Sequence, residues 1–270
     1  MVRIEEGKCI GCGQCVRDCF ARQLRLVEGK AVFLDRGCIG CGHCMAICPM
    51  DAVTMDGGRR EELLPLPHGM PRLDPEEYLF FMKGRRTIRQ FTEAPLSEEQ
   101  LHTMLEVVRY SPTGANRQDV LVTVIQEQLP RFRELILDAL CRRAEGADTP
   151  EASPKDKVYA GLWKKLHRDF HGPHHRDRLF FDAPAVLVLS AAFPLNGAIA
   201  AAHLETMIYA LGLGMLYSGF TVMAAVGSEE VRTFLGLPAG HEPVACLVVG
   251  HPKVDYLRTV GRKPTNVVRM

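Results

Sequence analysis

Eight of the ten cysteines in this 270-residue chain fall within its first 48 residues, in two matching runs. The first, "CIGCGQCVRDC", places Cys9, Cys12, Cys15 and Cys19; the second, "CIGCGHCMAIC", places Cys38, Cys41, Cys44 and Cys48, each 29 positions after its counterpart. A segment this short cannot fold on its apolar core alone, so whatever the thiols bind has to hold it together. Glu28-Gly29, between "LRLV" and "KAVFL", reads as a tight turn joining two short strands, and the apolar stretch "AVTMDG" follows the second run. Residues 1–57 therefore read as a small domain of two pseudo-symmetric halves.

The opening "MVRIEEGKCIGC" lacks the apolar run of a signal peptide, and no later segment approaches a charge-free membrane span, which predicts a cytoplasmic protein with no membrane partner. Lys plus Arg total 33 against 32 Asp plus Glu, so no overall field draws nucleic acid either. In a reducing compartment such a cysteine array points to a metal centre rather than to disulfides.

A C-x2-C-x2-C loop wraps three thiolates onto one face of an iron–sulfur cluster, and the fourth ligand comes from elsewhere; in the two-cluster pattern the last cysteine of each run serves the other cluster. One [4Fe-4S] cluster then takes Cys9, Cys12, Cys15 and Cys48, and the other takes Cys38, Cys41, Cys44 and Cys19. Gly11, Gly13, Gly40 and Gly42 suit loops that turn tightly and aim amides at sulfur. Pro49 after Cys48 completes the pattern, whereas Phe20 after Cys19 breaks it. A pair of structural zinc sites needs only two such cysteines per loop and leaves the third unexplained. This part of the chain resembles the bacterial two-cluster ferredoxins.

Residues 58–75, with clustered prolines and glycines and no periodicity, read as a linker. The remainder, 76–270, mixes helices and strands into an α+β domain. Ser97 and Gln100 form a capping-box pair ahead of Leu101, Met104, Leu105 and Val108 on one helical face. "DVLVTVIQ", "PAVLVLSAAF" and "EPVACLVVGHP" read as buried strands, and Leu129 to Arg178 as a polar helical stretch. "GAIAAAHLETMIYALGLG" is apolar almost all round and is expected to be buried on most of its surface.

"KGRRTIRQF" sets Arg85, Arg86 and Arg89 around Thr87, a group suited to a phosphate, although a solvated basic turn has the same composition. "SPTGANRQ" offers a polar, flexible loop that suits the edge of a heterocycle. Together with "ALGLGMLYSGF", "LGLPAGHEPVACLVVGHP" and "GRKP", these segments resemble the FMN-dependent nitroreductase family over residues 76–268. The resemblance implies a three-layer α/β/α domain with a mixed, mainly antiparallel sheet, and a homodimer with FMN at the subunit interface. It implies that Arg85, Arg86, Thr87 and Arg89 hold the phosphate and ribityl chain, with Arg262 and Lys263 beside them. Pro112, Thr113, Asn116 and Gln118 then reach the flavin from the partner subunit, and Leu216, Tyr217, Ser218 and Gly219 lie over the reactive flavin N5. Two departures stand out. Asp119-Val120 follows Gln118 where the family often continues with Pro-Trp, and position 218 is Ser where several relatives have Glu.

These readings predict an iron–sulfur flavoprotein oxidoreductase that reduces a small electron-poor acceptor such as a nitroaromatic or quinone. The flavin carries the chemistry, and no catalytic side chain is named. Reductant enters as NAD(P)H at the flavin or as single electrons from a donor protein at the clusters. The rival readings are a redox relay or sensor serving a protein partner, and a flavin-modifying or dehalogenating specialist of the same fold. His167, His171, His174 and His175 fall within one polar stretch that reads as a lid, or as a divalent-metal site. Cys246, inside an apolar strand, is expected to be inert, and Cys141 has no base partner in sequence.

Overall fold

A computed structural model describes residues 1–57, 60–67, 69–150 and 152–270. The chain divides into two compact units, Met1–Arg72 with Thr113–Arg117, and Leu73–Pro112 with Gln118–Met270. Of the expected linker, Gly58, Arg59 and His68 lie outside the described residues.

The first unit contains β1 (Val2–Ile4), α1 (Gln14–Asp18), β2 (Leu24–Val27), β3 (Lys30–Phe33), α2 (His43–Ala46) and β4 (Val53–Met55). β1 pairs antiparallel with β4, and β2 with β3, so each half of the repeat gives one strand to each pair. The Glu28-Gly29 turn has positive φ at both residues, 50° and 76°, as a hairpin turn matched to strand twist requires. At Gly11 (φ 69°) an added Cβ would stand 2.0 Å from the Gly29 carbonyl oxygen, so only glycine lets the first cysteine loop pass the hairpin turn.

The second unit contains α3 (Pro75–Gly84), α4 (Glu98–Arg109), β5 (Leu121–Ile125), α5 (Leu129–Glu145), α6 (Pro154–His171), β6 (Ala185–Ala191), α7 (Pro194–Ala210), β7 (Gly214–Tyr217), α8 (Gly219–Gly227), α9 (Glu229–Phe234) and β8 (Glu242–Gly250). The strands form one sheet in the order β5-β6-β8-β7, antiparallel at every pairing. All seven residues of β6 are buried, because both faces of the sheet are covered. Val186, Val188 and Val248 face a core with Phe132, Ile136, Leu140, Trp163 and Phe180 from the α5 and α6 side. Leu187, Leu189 and Leu247 face the opposite core with Met104, Val108, Ala200, Leu204 and Ile208 from α4 and α7. That is the three-layer α/β/α arrangement.

α7 departs from expectation. Asn196, Gly197, Ala200, Ala201, Leu204 and Ile208 are buried, while Leu195, Ala198 and Ala202 on the other side are exposed. A helix apolar all round is covered on one side only within a single chain, and its second side asks for a further partner.

The capping box at α4 forms in full: Ser97 Oγ accepts from the Gln100 amide at 3.1 Å, and Gln100 Oε1 accepts from the Ser97 amide at 2.9 Å. Ser97→Ala is expected to remove about 1 kcal/mol, lowering the melting temperature of the second unit by roughly 2–4 °C in scanning calorimetry.

Candidate functional site

The basic segment after α3 is pinned to the sheet. The Ile88 amide donates to Met215 O at 3.0 Å, and an added Cβ at Gly214 would meet Ile88 Cγ1 at 2.6 Å, so glycine at the start of β7 admits the segment. Arg85 Nη1 pairs with Glu205 Oε1 on α7 at 2.8 Å. Arg86 Nη1 donates to Lys83 O at 2.9 Å. Arg85 Nε, Arg86 Nε and Arg86 Nη2 are buried and have no hydrogen-bond partner. Burying guanidinium donors without acceptors is unfavourable by kilocalories, so this arrangement is shaped to receive an anion. Both arginines line a cavity of about 490 Å³ together with Phe80, Phe81, Tyr209 and Tyr256. Thr87 is half-buried and its carbonyl accepts from the Tyr256 hydroxyl at 3.4 Å; Arg89 is exposed.

Glu205 and Tyr209 on α7 were not among the residues that the sequence marked, yet they organise the site. The Tyr209 hydroxyl donates to Arg86 O and, at 3.2 Å, to Met215 O, while Tyr217 donates to Ala201 O at 3.1 Å and to Glu205 Oε2 at 3.3 Å. Burial, then the Glu205 carboxylate, pushes the Tyr209 phenol up to about 12. The same two causes raise Tyr217, so both remain donors at neutral pH. Glu205 thus ties Arg85 to Tyr217. The available signal was a Glu and a Tyr four residues apart in an otherwise apolar helix.

Leu216 and Tyr217 end β7, and Ser218 and Gly219 open α8. Tyr217, Ser218 and Gly219 line a second cavity, of about 280 Å³, with Ala198, Ala201 and Val222. Ser218 is buried: its amide donates to Cys246 O at 2.8 Å and its hydroxyl bonds that of Thr221 at 2.8 Å. Burial pushes the Cys246 thiol up to about 12, so it is no nucleophile at neutral pH.

The other marked residues are not gathered into these cavities. Pro112 and Gln118 are exposed in the second unit, Gln118 at a positive φ of 50°. Thr113 and Asn116 fall in the first unit, where Asn116 Nδ2 donates to Ile39 O at 3.2 Å and Gly40 O at 2.8 Å. Arg262 and Lys263 are exposed in the irregular C-terminal stretch and line neither cavity. A larger cavity, of about 680 Å³, opens between α4 and β5 and holds none of the marked residues. In the histidine-rich stretch, His167 Nε2 lies 3.1 Å from Asp138 Oδ1, and the His175 ring lies tilted against Phe170 with ring centroids 4.3 Å apart. Among the described residues no three His, Cys, Asp or Glu side chains close on a single ion position.

In the first unit Cys9, Cys12, Cys15 and Cys48 line one small cavity between β1, β3 and β4. Burial raises the Cys15 thiol first, and the neighbouring Cys48, Cys12 and Cys9 add to it. Cys44 is raised by burial, with Cys41 and Cys38 as further neighbours. Backbone amides point at sulfur in both groups: Ala31 to Cys9 at 3.4 Å, Ala52 to Cys48 at 3.3 Å, Gly40 to Cys38 at 3.4 Å and Gln23 to Cys19 at 3.2 Å. Four thiols around a cavity, each group met by amide donors, fit the donor set of an iron–sulfur cluster.

The sequence model of the nitroreductase family matches residues 82–251, and that of the 4Fe-4S dicluster domain matches residues 1–49. A Streptomyces coelicolor protein named for NADH dehydrogenase or NAD(P)H nitroreductase activity is 26% identical over 188 residues, covering 68% of this chain and 89% of the relative. An FMN reductase [NAD(P)H] of Bacillus subtilis is 27% identical over 182 residues, covering 65% of this chain and 66% of the relative. Among solved structures, a nitroreductase with bound FMN from Bacteroides fragilis superposes with a TM-score of 0.54 at 19% identity, covering 72% of this chain and 99% of its own; the likeness is one of fold.

In anaerobically reconstituted protein, Cys48→Ser is expected to lose the iron held with Cys9, Cys12 and Cys15 and to keep the rest, so iron per chain falls by about half. Unchanged iron would place Cys48 outside the ligand set.

Proposed function

The chain belongs to the nitroreductase family, and from that premise we propose that it is an FMN-dependent iron–sulfur oxidoreductase. It passes electrons between two [4Fe-4S] clusters and FMN to reduce a small electron-poor acceptor, such as a nitroaromatic or quinone. The observation that carries this reading is the pair of half-buried arginines whose buried donors, Arg85 Nε, Arg86 Nε and Arg86 Nη2, have no hydrogen-bond partner, in a cavity lined as well by Phe80, Phe81, Tyr209 and Tyr256, with the carboxylates Glu77 and Asp255 also on its lining. A phosphate monoester supplies what those donors lack; Thr87, Arg89, Arg262 and Lys263, which do not line this cavity, would have to reach the phosphate from outside it.

FMN, when bound, exchanges electrons singly or in pairs as hydride, which would join one-electron centres to a two-electron acceptor. The protein's part is to bind, orient and exclude water. Arg85 and Arg86 anchor the phosphate, Glu205 fixes Arg85, and Tyr209 fixes the backbone at Arg86. Tyr217, Ser218 and Gly219 form the wall on which the flavin ring would lie, with Leu216 buried behind it, and Tyr217 stays protonated against it. The open side of α7 beside that wall supports a homodimer in which Pro112, Thr113, Asn116 and Gln118 serve the partner's flavin. The names of the Streptomyces and Bacillus relatives support NAD(P)H as one reductant. Cys9, Cys12, Cys15 and Cys48 would hold one cluster, and Cys38, Cys41, Cys44 and Cys19 the other.

The test is an anaerobic titration with NADH and NADPH that follows flavin bleaching and cluster absorbance together. Bleaching by either nucleotide, followed by turnover of a nitroaromatic or quinone, is the expected outcome; protein prepared anaerobically with neither flavin nor iron would overturn the reading. Arg86→Met is expected to weaken FMN binding by ~1.5–3 kcal/mol, the worth of hydrogen bonds to a charged group. That is roughly tenfold to a hundredfold in Kd by fluorescence titration.

A further inference from the structure

The two cysteine groups are related by the internal repeat, but the charges around them are not. Lys30 Nζ is held by Cys9 O at 2.5 Å and Glu6 O at 3.0 Å, which fixes an ammonium on the backbone of the first cysteine loop. Arg17 Nη1 donates to Cys12 O at 3.2 Å, which sets a guanidinium on the same loop. The repeat offset of 29 carries Lys30 back to Met1 and Arg17 forward to Ala46, so neither cation has a counterpart on the second loop. The Met1 amino group is turned to Asp56 at 3.4 Å. On the second loop His43 lies 3.0 Å from Asp18 Oδ2, and Arg36, two residues before Cys38, is exposed.

The other charged groups near the first loop do not cancel this difference. Glu6 opposes Lys30 but gives it only a backbone carbonyl, and Lys8 is paired with Glu5 at 2.7 Å. Amide hydrogen bonds reach sulfur in both groups, so they do not set the two apart. What distinguishes them is fixed positive charge, and a cluster's reduction potential rises with positive charge nearby because the reduced form is more negative.

We propose that Lys30 and Arg17 make the cluster held by Cys9, Cys12, Cys15 and Cys48 the more easily reduced of the two, so that it is where a single electron rests. This rests on the two-cluster reading above. It assigns direction inside the first unit: an electron arriving at either group settles on the Lys30 side, and the Cys38 group is the stronger reductant.

The test is an anaerobic dithionite titration followed by EPR on the full chain, with iron and sulfide measured first. Two clusters per chain have to be present; a single cluster would refute the two-cluster reading and not the charge argument. Given two, Lys30→Met is expected to lower the higher of the two potentials by about tenfold in the one-electron equilibrium, which is 59 mV, and to leave the lower one in place. Arg17→Met is expected to act in the same direction on the same step. Lys30→Arg keeps the charge and should restore the wild-type titration, which separates charge from structural damage. Movement of the lower step, equal movement of both, or movement of neither would overturn the proposal.

Discussion

Sulfur stands where a hydrophobic core would be. In the first unit the buried apolar cluster consists of Cys15, Leu24 and Ala31, ringed by partly buried residues of which Cys9, Cys19 and Cys44 are again cysteines. Even with Val2, Ala52 and Val53 also buried, this is a small apolar core against the chain entropy of a unit this long, so ligation at the cysteines would, on the proposed reading, supply much of its folding energy. Other features follow from it. The loops turn at glycine because amides have to face sulfur, and the two short strand pairs close the halves together so that Cys48 can join Cys9, Cys12 and Cys15.

The second unit obeys the ordinary rule instead, with two apolar layers against one sheet, and this explains how much of it was legible. The Ser97–Gln100 capping box, the three apolar strands and the Glu28-Gly29 turn of the first unit are local signals, in which a few neighbouring residues determine the geometry. They stand where the sequence puts them. Less legible was anything that depends on a second surface. α7 carries no polar face to say which side meets the sheet, and the structure covers only one of them. The α3 segment "YLFFM" drew no attention, although Tyr78, Leu79 and Phe80 are exposed. Nor does spacing along the chain reveal that Thr113–Arg117 groups with the first unit.

The site itself was legible by residue type more than by role. Arginine density marked an anion site, but four basic or hydroxyl residues in one stretch do not have equal parts. Arg85 and Arg86 are drawn inward, where desolvation strengthens every interaction they make, while Arg89 remains in water. The selection is made by Ile88, whose amide bond to Met215 and contact at Gly214 fix which side of the segment faces the protein. A backbone registration therefore decides which guanidinium groups turn toward the cavity.

The departure at Ser218 takes on a different meaning in this setting. From the sequence, serine there removes a carboxylate from the flavin's neighbourhood. In the structure Ser218 lines the second cavity but is largely buried, and its hydroxyl is engaged by Thr221 at the start of α8. A carboxylate does stand beside the flavin wall: Glu205 reaches Tyr217 from α7. It is shared with Arg85, so its charge is balanced within the site and holds two side chains in place instead of standing free toward a substrate. Under the proposed function, that wall would present an incoming acceptor with Tyr217, its hydroxyl held by Ala201 O and Glu205, and with no unpaired carboxylate. On that reading the wall would favour neutral or anionic electron-poor acceptors over cationic ones, because the like-charge repulsion that a free carboxylate imposes on an anion would be absent.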